Sequence, residues 1–286
     1  MTAATARRRP AVPWPALITR DRGGLVGTVL LVLIVLVALA GPLVMPHSST
    51  AVLGTPGHGP AGGAPLGLDF LGRDVLSRLL AGGRSVLLLG GAATLVIYLA
   101  GLAIGLTAGY AQSFADPVLM RAVDVILSFP ALLVMLLFVT AFGGGPGVLV
   151  GAAALVLFPG VARIVRTATT EVMTKGFVEA AVARGERAPA IMRREVLPNI
   201  VAPIVADLGI RFSWAIILIA SVNYLGLGLR PPTADWGLMI SENREIISTN
   251  PLAVLAPAAM LALLVIAVNL VGDAYVRQRS RSGGDQ

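Results

Sequence analysis

From residue 25 to residue 45 the chain carries no charged side chain, and a run of that length suits one solvent. About 20 apolar residues in a helix cross the hydrocarbon core of a bilayer. Predominantly apolar stretches recur at 85–110, 117–142, 148–164, 201–229 and 252–275. They predict six transmembrane helices in an all-α membrane protein, because lipid offers backbone groups no partner outside the helix. Charged residues make up 13% of the chain, about half of what a soluble domain carries. The first run is too long for the apolar core of a signal peptide. Gly41-Pro42 and Met45-Pro46 follow it in place of a small-residue cleavage site, so it reads as a retained anchor.

Cysteine is absent, which excludes disulfides, thiol nucleophiles and thiolate-held metals. The net charge is +7, yet no basic helix with interleaved aromatics points to nucleic acid. Its distribution along the chain is more informative. With the N-terminus inside, the inner segments hold sixteen Lys or Arg, including Arg7, Arg8, Arg9, Arg20, Arg184, Arg187 and Arg281. The outer segments hold five: Arg73, Arg78, Arg84, Arg230 and Arg244. Positive residues stay on the cytoplasmic side, so both termini are expected there. The resulting division is a basic tail at 1–24, a first transmembrane anchor at 25–46 and an extracytoplasmic loop at 47–84. A core follows at 85–275 with an inner loop at 165–199, then a cytoplasmic tail at 276–286.

That inner loop contains Phe177-Val178-Glu179-Ala180-Ala181, then Gly185, Ile191 and Leu197-Pro198-Asn199. Glu179, Ala180 and Ala181 favour helix, Gly185 allows a sharp turn, and Pro198 is expected to stop a second helix near Leu197. The identities and spacing resemble the coupling motif of ABC importer permeases. Similarity continues through Pro65-Leu66-Gly67, Gly72-Arg73-Asp74, Ser128-Phe129-Pro130, Asp235-Trp236-Gly237 and Asn269-Leu270-Val271-Gly272-Asp273. These segments are similar to the C-type permease subunit of the dipeptide/oligopeptide/nickel branch.

The resemblance implies a type I permease fold in the cell membrane. It implies half of a translocation pathway for di- or oligopeptides, with nickel chelates, glycosides or another small solute as the alternative cargo. An ATP-independent transporter is the remote alternative. Implied partners are a homologous second permease, two ATP-binding subunits and an extracytoplasmic substrate-binding protein. No Gly-x-x-x-x-Gly-Lys-Ser/Thr loop occurs, and Lys175 is the only lysine. The chain therefore has no phosphate-cradling loop of its own, and ATP and Mg belong to the partner subunits. No catalytic group, metal site or bound cofactor is expected here.

Glu179, Ala180, Ala181, Gly185, Ile191, Leu197 and Pro198 are the expected coupling residues. Asp207 and Arg211 lie four apart in the fifth span and can pair on one helical face. Either they line the pathway, together with Asn223, or they sit in a wet cytoplasmic mouth beginning near Leu208. Asp124 is expected to pair locally with Arg121. Gly101, Gly105 and Gly109 share one face of the second span, as close helix packing requires. His47 and His58 look isolated. Residues 48–64 read as a flexible outer segment, with an interfacial helix at 73–80. Asp235, Trp236 and Glu242 are expected on an outer surface, either facing a binding protein or, for Trp236, at the lipid headgroups.

Overall fold

The computed structural model describes residues 21–61, 63–111 and 114–283, the last five by backbone alone. Arg7, Arg8, Arg9 and Arg20 lie outside the described residues, as do the side chains of Arg279 and Arg281. Ten helices account for the described architecture: α1 (Arg22–Val44), α2 (Val75–Ala111), α3 (Ala115–Leu127), α4 (Ala131–Phe142), α5 (Pro146–Met173), α6 (Gly176–Ala183), α7 (Ala188–Ile191), α8 (Leu197–Tyr224), α9 (Trp236–Asn243) and α10 (Leu252–Gly283). Five helical segments are long and apolar enough to cross a membrane, and α3 with α4 makes a sixth if the bent pair is one span.

The stretch expected as one span at 117–142 is bent within. α3 and α4 meet at 85°, across Ser128, Phe129 and Pro130. Pro130 has no N–H to continue the helix and forces Phe129 out of helical geometry. Its own ψ of 124° begins the new direction. Two ion pairs fasten the detached α3 to α5: Arg166 grips Asp116 with Nε and Nη2, and Arg163 reaches Asp124. Asp124 thus pairs across helices, not with Arg121.

α2 begins ten residues earlier than expected, so the interfacial helix read at 73–80 is its first turn. Asp74 explains the start. Its carboxylate accepts from the backbone N–H groups of Leu76 and Ser77 and from the Ser77 hydroxyl, filling the orphan donors of a helix N-terminus. α2 and α5 form the centre of the bundle. Cβ atoms at Gly101, Gly105 and Gly109 would meet Val161, Val165 and Thr169 of α5 at 2.6 Å. Only glycine lets the two backbones come this close.

The segment read as flexible is tied down by hydrogen bonds. Leu53 N–H donates to Gly72 O, Gly57 N–H to Asp69 O, and Leu68 N–H to His58 O. Asn250 donates to Leu66 O and Leu68 O from the far side of the chain. This cap and α9 close one end of the bundle; the loop carrying α6 and α7 closes the other.

Candidate functional site

At the loop end, Val178 and Ala181 pack into the core while Phe177, Glu179, Ala180 and Val182 stand exposed. α6 is thus anchored by one face and presents another. Gly185 follows with φ +73°, the left-handed conformation that glycine adopts without a Cβ penalty. No atom lies within 4 Å of where its Cβ would stand. Ile191 is fully buried and pins α7.

Pro198 does not stop the second helix. A π-helical segment, Met192–Val196, joins α7 to α8, and Leu197 N–H donates to Met192 O in the wider register. Pro198 then falls in the first turn of α8, where its missing N–H costs nothing. The sequence rule was sound about the backbone and missed the register shift that accommodates it. As a result, α8 is continuous with α7 through helical backbone.

Arg211 lies fourteen residues after Leu197 and thirteen before Tyr224. At 1.5 Å per residue it is about 20 Å from either end of α8. The helix therefore runs unbroken through Leu208, with Asp207 and Arg211 near the middle of α8. Arg211 Nε donates to Asp207 Oδ2 at 2.9 Å, and the Tyr98 hydroxyl of α2 donates to the same oxygen at 3.0 Å. Gly160 of α5 lies beneath the guanidinium. Tyr98 and Gly160 are members of this site that sequence reading missed; their partners are more than a hundred and about fifty residues away. Asn223 is not part of it. It is fully buried three turns further on, donating to Asp235 and accepting from Leu229 N–H.

The opposite end hides a charge network that spacing could not reveal. Asp69 Oδ2 accepts from Arg73 Nε at 2.6 Å and from Arg78 Nη1 at 2.8 Å. Glu242 of α9 meets Arg73 at 3.2 Å and Arg78 at 2.8 Å. Burial pushes the Glu242 carboxyl up to about 7, against the pull of Arg73 and with the Asp69 charge adding to the rise. Asp235 caps α9 through Gly237 and Leu238 N–H and accepts from Ser85. Burial raises its carboxyl too, opposed by those bonds. Trp236 is wholly buried, its Nε1–H donating to Leu79 O at 2.8 Å. It faces neither a partner nor lipid headgroups, and Asp235 and Glu242 are likewise inside. His47 and His58, isolated in sequence, line one cavity of about 230 Å³. No cluster of three metal-ligating side chains occurs among the described residues.

A bundle of long apolar helices, with a paired Asp207 and Arg211 midway along α8 and a loop of short helices at one end, is the frame of an integral membrane protein. Residues 101–281 match the family described as binding-protein-dependent transport system inner membrane component. The chain belongs to that family. It is 36% identical over 260 residues to the di/tripeptide transport system permease protein DppC of Pseudomonas aeruginosa, covering 88% of this chain and 86% of the relative. It is 37% identical over 216 residues to the glutathione transport system permease protein GsiD of Pectobacterium atrosepticum, covering 76% and 72%. The fold is similar to a chain of the MetNI methionine ABC transporter, with TM-score 0.58 and 20% identity over 70% of this chain and 94% of that one.

Proposed function

We propose that this chain is the permease subunit of an ATP-driven importer of small peptides. The observation that carries the reading is the 36% identity, across most of both chains, to a di/tripeptide permease. The exposed face of α6 supports an ATPase partner, since Phe177 and Val182 are apolar side chains left uncovered beside Arg184 and Arg187. Without a phosphate loop in this chain, ATP and Mg bind the partner subunits. The assembly comprises a second permease, two ATP-binding subunits and a substrate-binding protein outside.

Counting α3 and α4 together as one crossing gives six, an even number that puts both termini on one side. The sixteen-to-five charge asymmetry makes that side the cytoplasm. Residues 165–199 then form the cytoplasmic coupling loop, and the capped end faces outward. Glu179, Ala180, Ala181, Gly185, Ile191, Leu197 and Pro198 transmit movement of the ATPase to α8. Asp207 and Arg211 lie on the pathway, because ionisable residues inside a membrane mark transport routes.

Uptake of labelled di- and tripeptides by cells lacking the gene, with and without its restoration, tests the reading. Uptake that falls and returns with the gene supports it. Unchanged peptide uptake, with the chain still co-purifying with an ATPase, removes the peptide and keeps the architecture.

A further inference from the structure

We propose that Arg211 is a carboxylate-binding subsite on the pathway, midway along α8, seated on Gly160 and oriented by Asp207 and Tyr98. The inference rests on the transport reading above and names the substrate group that this residue recognises. A guanidinium has five donors, of which a bidentate pair matches the two oxygens of a carboxylate. Here Nε is already committed to Asp207 Oδ2 at 2.9 Å. Among the described residues, both Nη groups remain open to a further acceptor, as neither donates a hydrogen bond there.

The arrangement is built rather than incidental. The same Asp207 oxygen accepts from Tyr98 at 3.0 Å, so a phenol from α2 fixes the carboxylate that fixes the arginine. The Asp207 and Arg211 side chains keep 10% and 19% of their exposure, so the fork is sheltered and still reachable. A Cβ on Gly160 would lie 2.6 Å from Nη1 and 2.8 Å from Cζ and Nη2. Only glycine lets the guanidinium lie against α5 in this pose. A salt bridge serving stability alone requires no unpaired fork, and an arginine within a membrane span is costly to insert. A free peptide always carries one carboxylate, at its C-terminus, whatever its side chains. An anchor of this kind suits a transporter of varied peptides, and Asp207 and Tyr98 are its positioning residues.

The test uses cells with the complete transporter and compares a labelled dipeptide as free acid and as C-terminal amide. The wild type imports the free acid with an apparent KM at least tenfold lower than that of the amide. R211Q raises the free-acid KM about tenfold and leaves the amide KM within twofold, at equal membrane abundance. Y98F raises the free-acid KM by a smaller factor with Vmax preserved. If R211Q does not accumulate, Gly160→Ala decides, since it displaces the fork and keeps the charge: it raises the free-acid KM alone. Equal effects on both peptides, or no effect on either, overturn the subsite and leave peptide import standing. A wild type that imports neither peptide overturns the peptide reading, and the subsite with it.

Discussion

Replacing Arg78 by methionine tests whether the buried charge network holds the cap to the bundle. Arg78 is fully buried, with Nη1 on Asp69 and Nη2 on Glu242, each at 2.8 Å. Methionine fills much of the aliphatic volume and leaves two carboxylates sharing the single guanidinium of Arg73. Breaking a buried pair from one side costs about 3–5 kcal/mol, because the stranded charge stays desolvated. At roughly 2–4 °C per kcal/mol for a protein of this size, the melting temperature should fall by about 10 °C. The assay is thermal unfolding of the detergent-solubilised protein at pH 8, where the Glu242 carboxyl, pushed up to about 7, is mostly ionised. The double variant R78M/E242Q restores the charge balance between Asp69 and Arg73. It should recover about 1–3 kcal/mol, the coupling expected of neighbours in one network. A melting temperature within 2 °C of wild type for R78M would refute the reasoning, as would a double variant no more stable than R78M.

The same network sets a pH dependence. Because folding raises the Glu242 carboxyl from about 4.5 to about 7, the folded state holds the extra proton in that window. Its contribution is complete below the unfolded value and lost as pH rises through about 7. The melting temperature should decline across that interval and flatten in Glu242→Gln, which a pH series of melting curves checks. Gly185→Val forces a β-branched residue to φ +73°, costing at least about 1–2 kcal/mol locally. The side chain itself has open space. Membrane abundance should hold on an immunoblot while transport is lost, and normal transport would remove the loop from coupling. Gly105→Ala drives a Cβ to 2.6 Å from Ala162 O and Val165 Cβ, whereas Gly91→Ala on the same helix meets nothing within 4 Å. The first should destabilise by about 1–3 kcal/mol through overpacking. The second should be neutral or slightly stabilising through helix propensity, and paired melting curves separate them.

The parts of this molecule readable from sequence are those whose cause is local. Apolar runs announce spans, Gly185 announces a turn, and the Gly101–Gly105–Gly109 spacing announces a face. What escaped reading depends on partners distant in the chain. Arg73 and Arg78 lie four and nine residues from Asp69, but Glu242, 164 residues beyond Arg78, completes the buried cluster with a second carboxylate. Trp236 has an amphipathic ring suited to a headgroup layer. The space beside Gly82 and Gly83, and the Leu79 carbonyl, draw it inside instead. Local rules also misled at prolines. Pro130 breaks its span through 85°, whereas Pro198, six residues after the π segment begins, sits in the first turn of α8.

α8 connects these features. Its N-terminus runs through a π segment into α7 with no coil between them, while α6 is set off from α7 by the turn at Gly185. Its centre carries Arg211, held to α2 through Asp207 and Tyr98. Its far end is clamped by Asn223, whose amide ties Asp235 to Leu229 N–H in a fully buried lattice. A rod fixed at one end and driven at the other moves most where it is driven, and by an intermediate amount at its centre. The groups placed there determine what that motion acts upon. On the proposed coupling, an arginine at this point would shift against the glycine seat on α5 when the loop moves. Affinity that differs between the two positions of α8 is what would let a coupled partner change it.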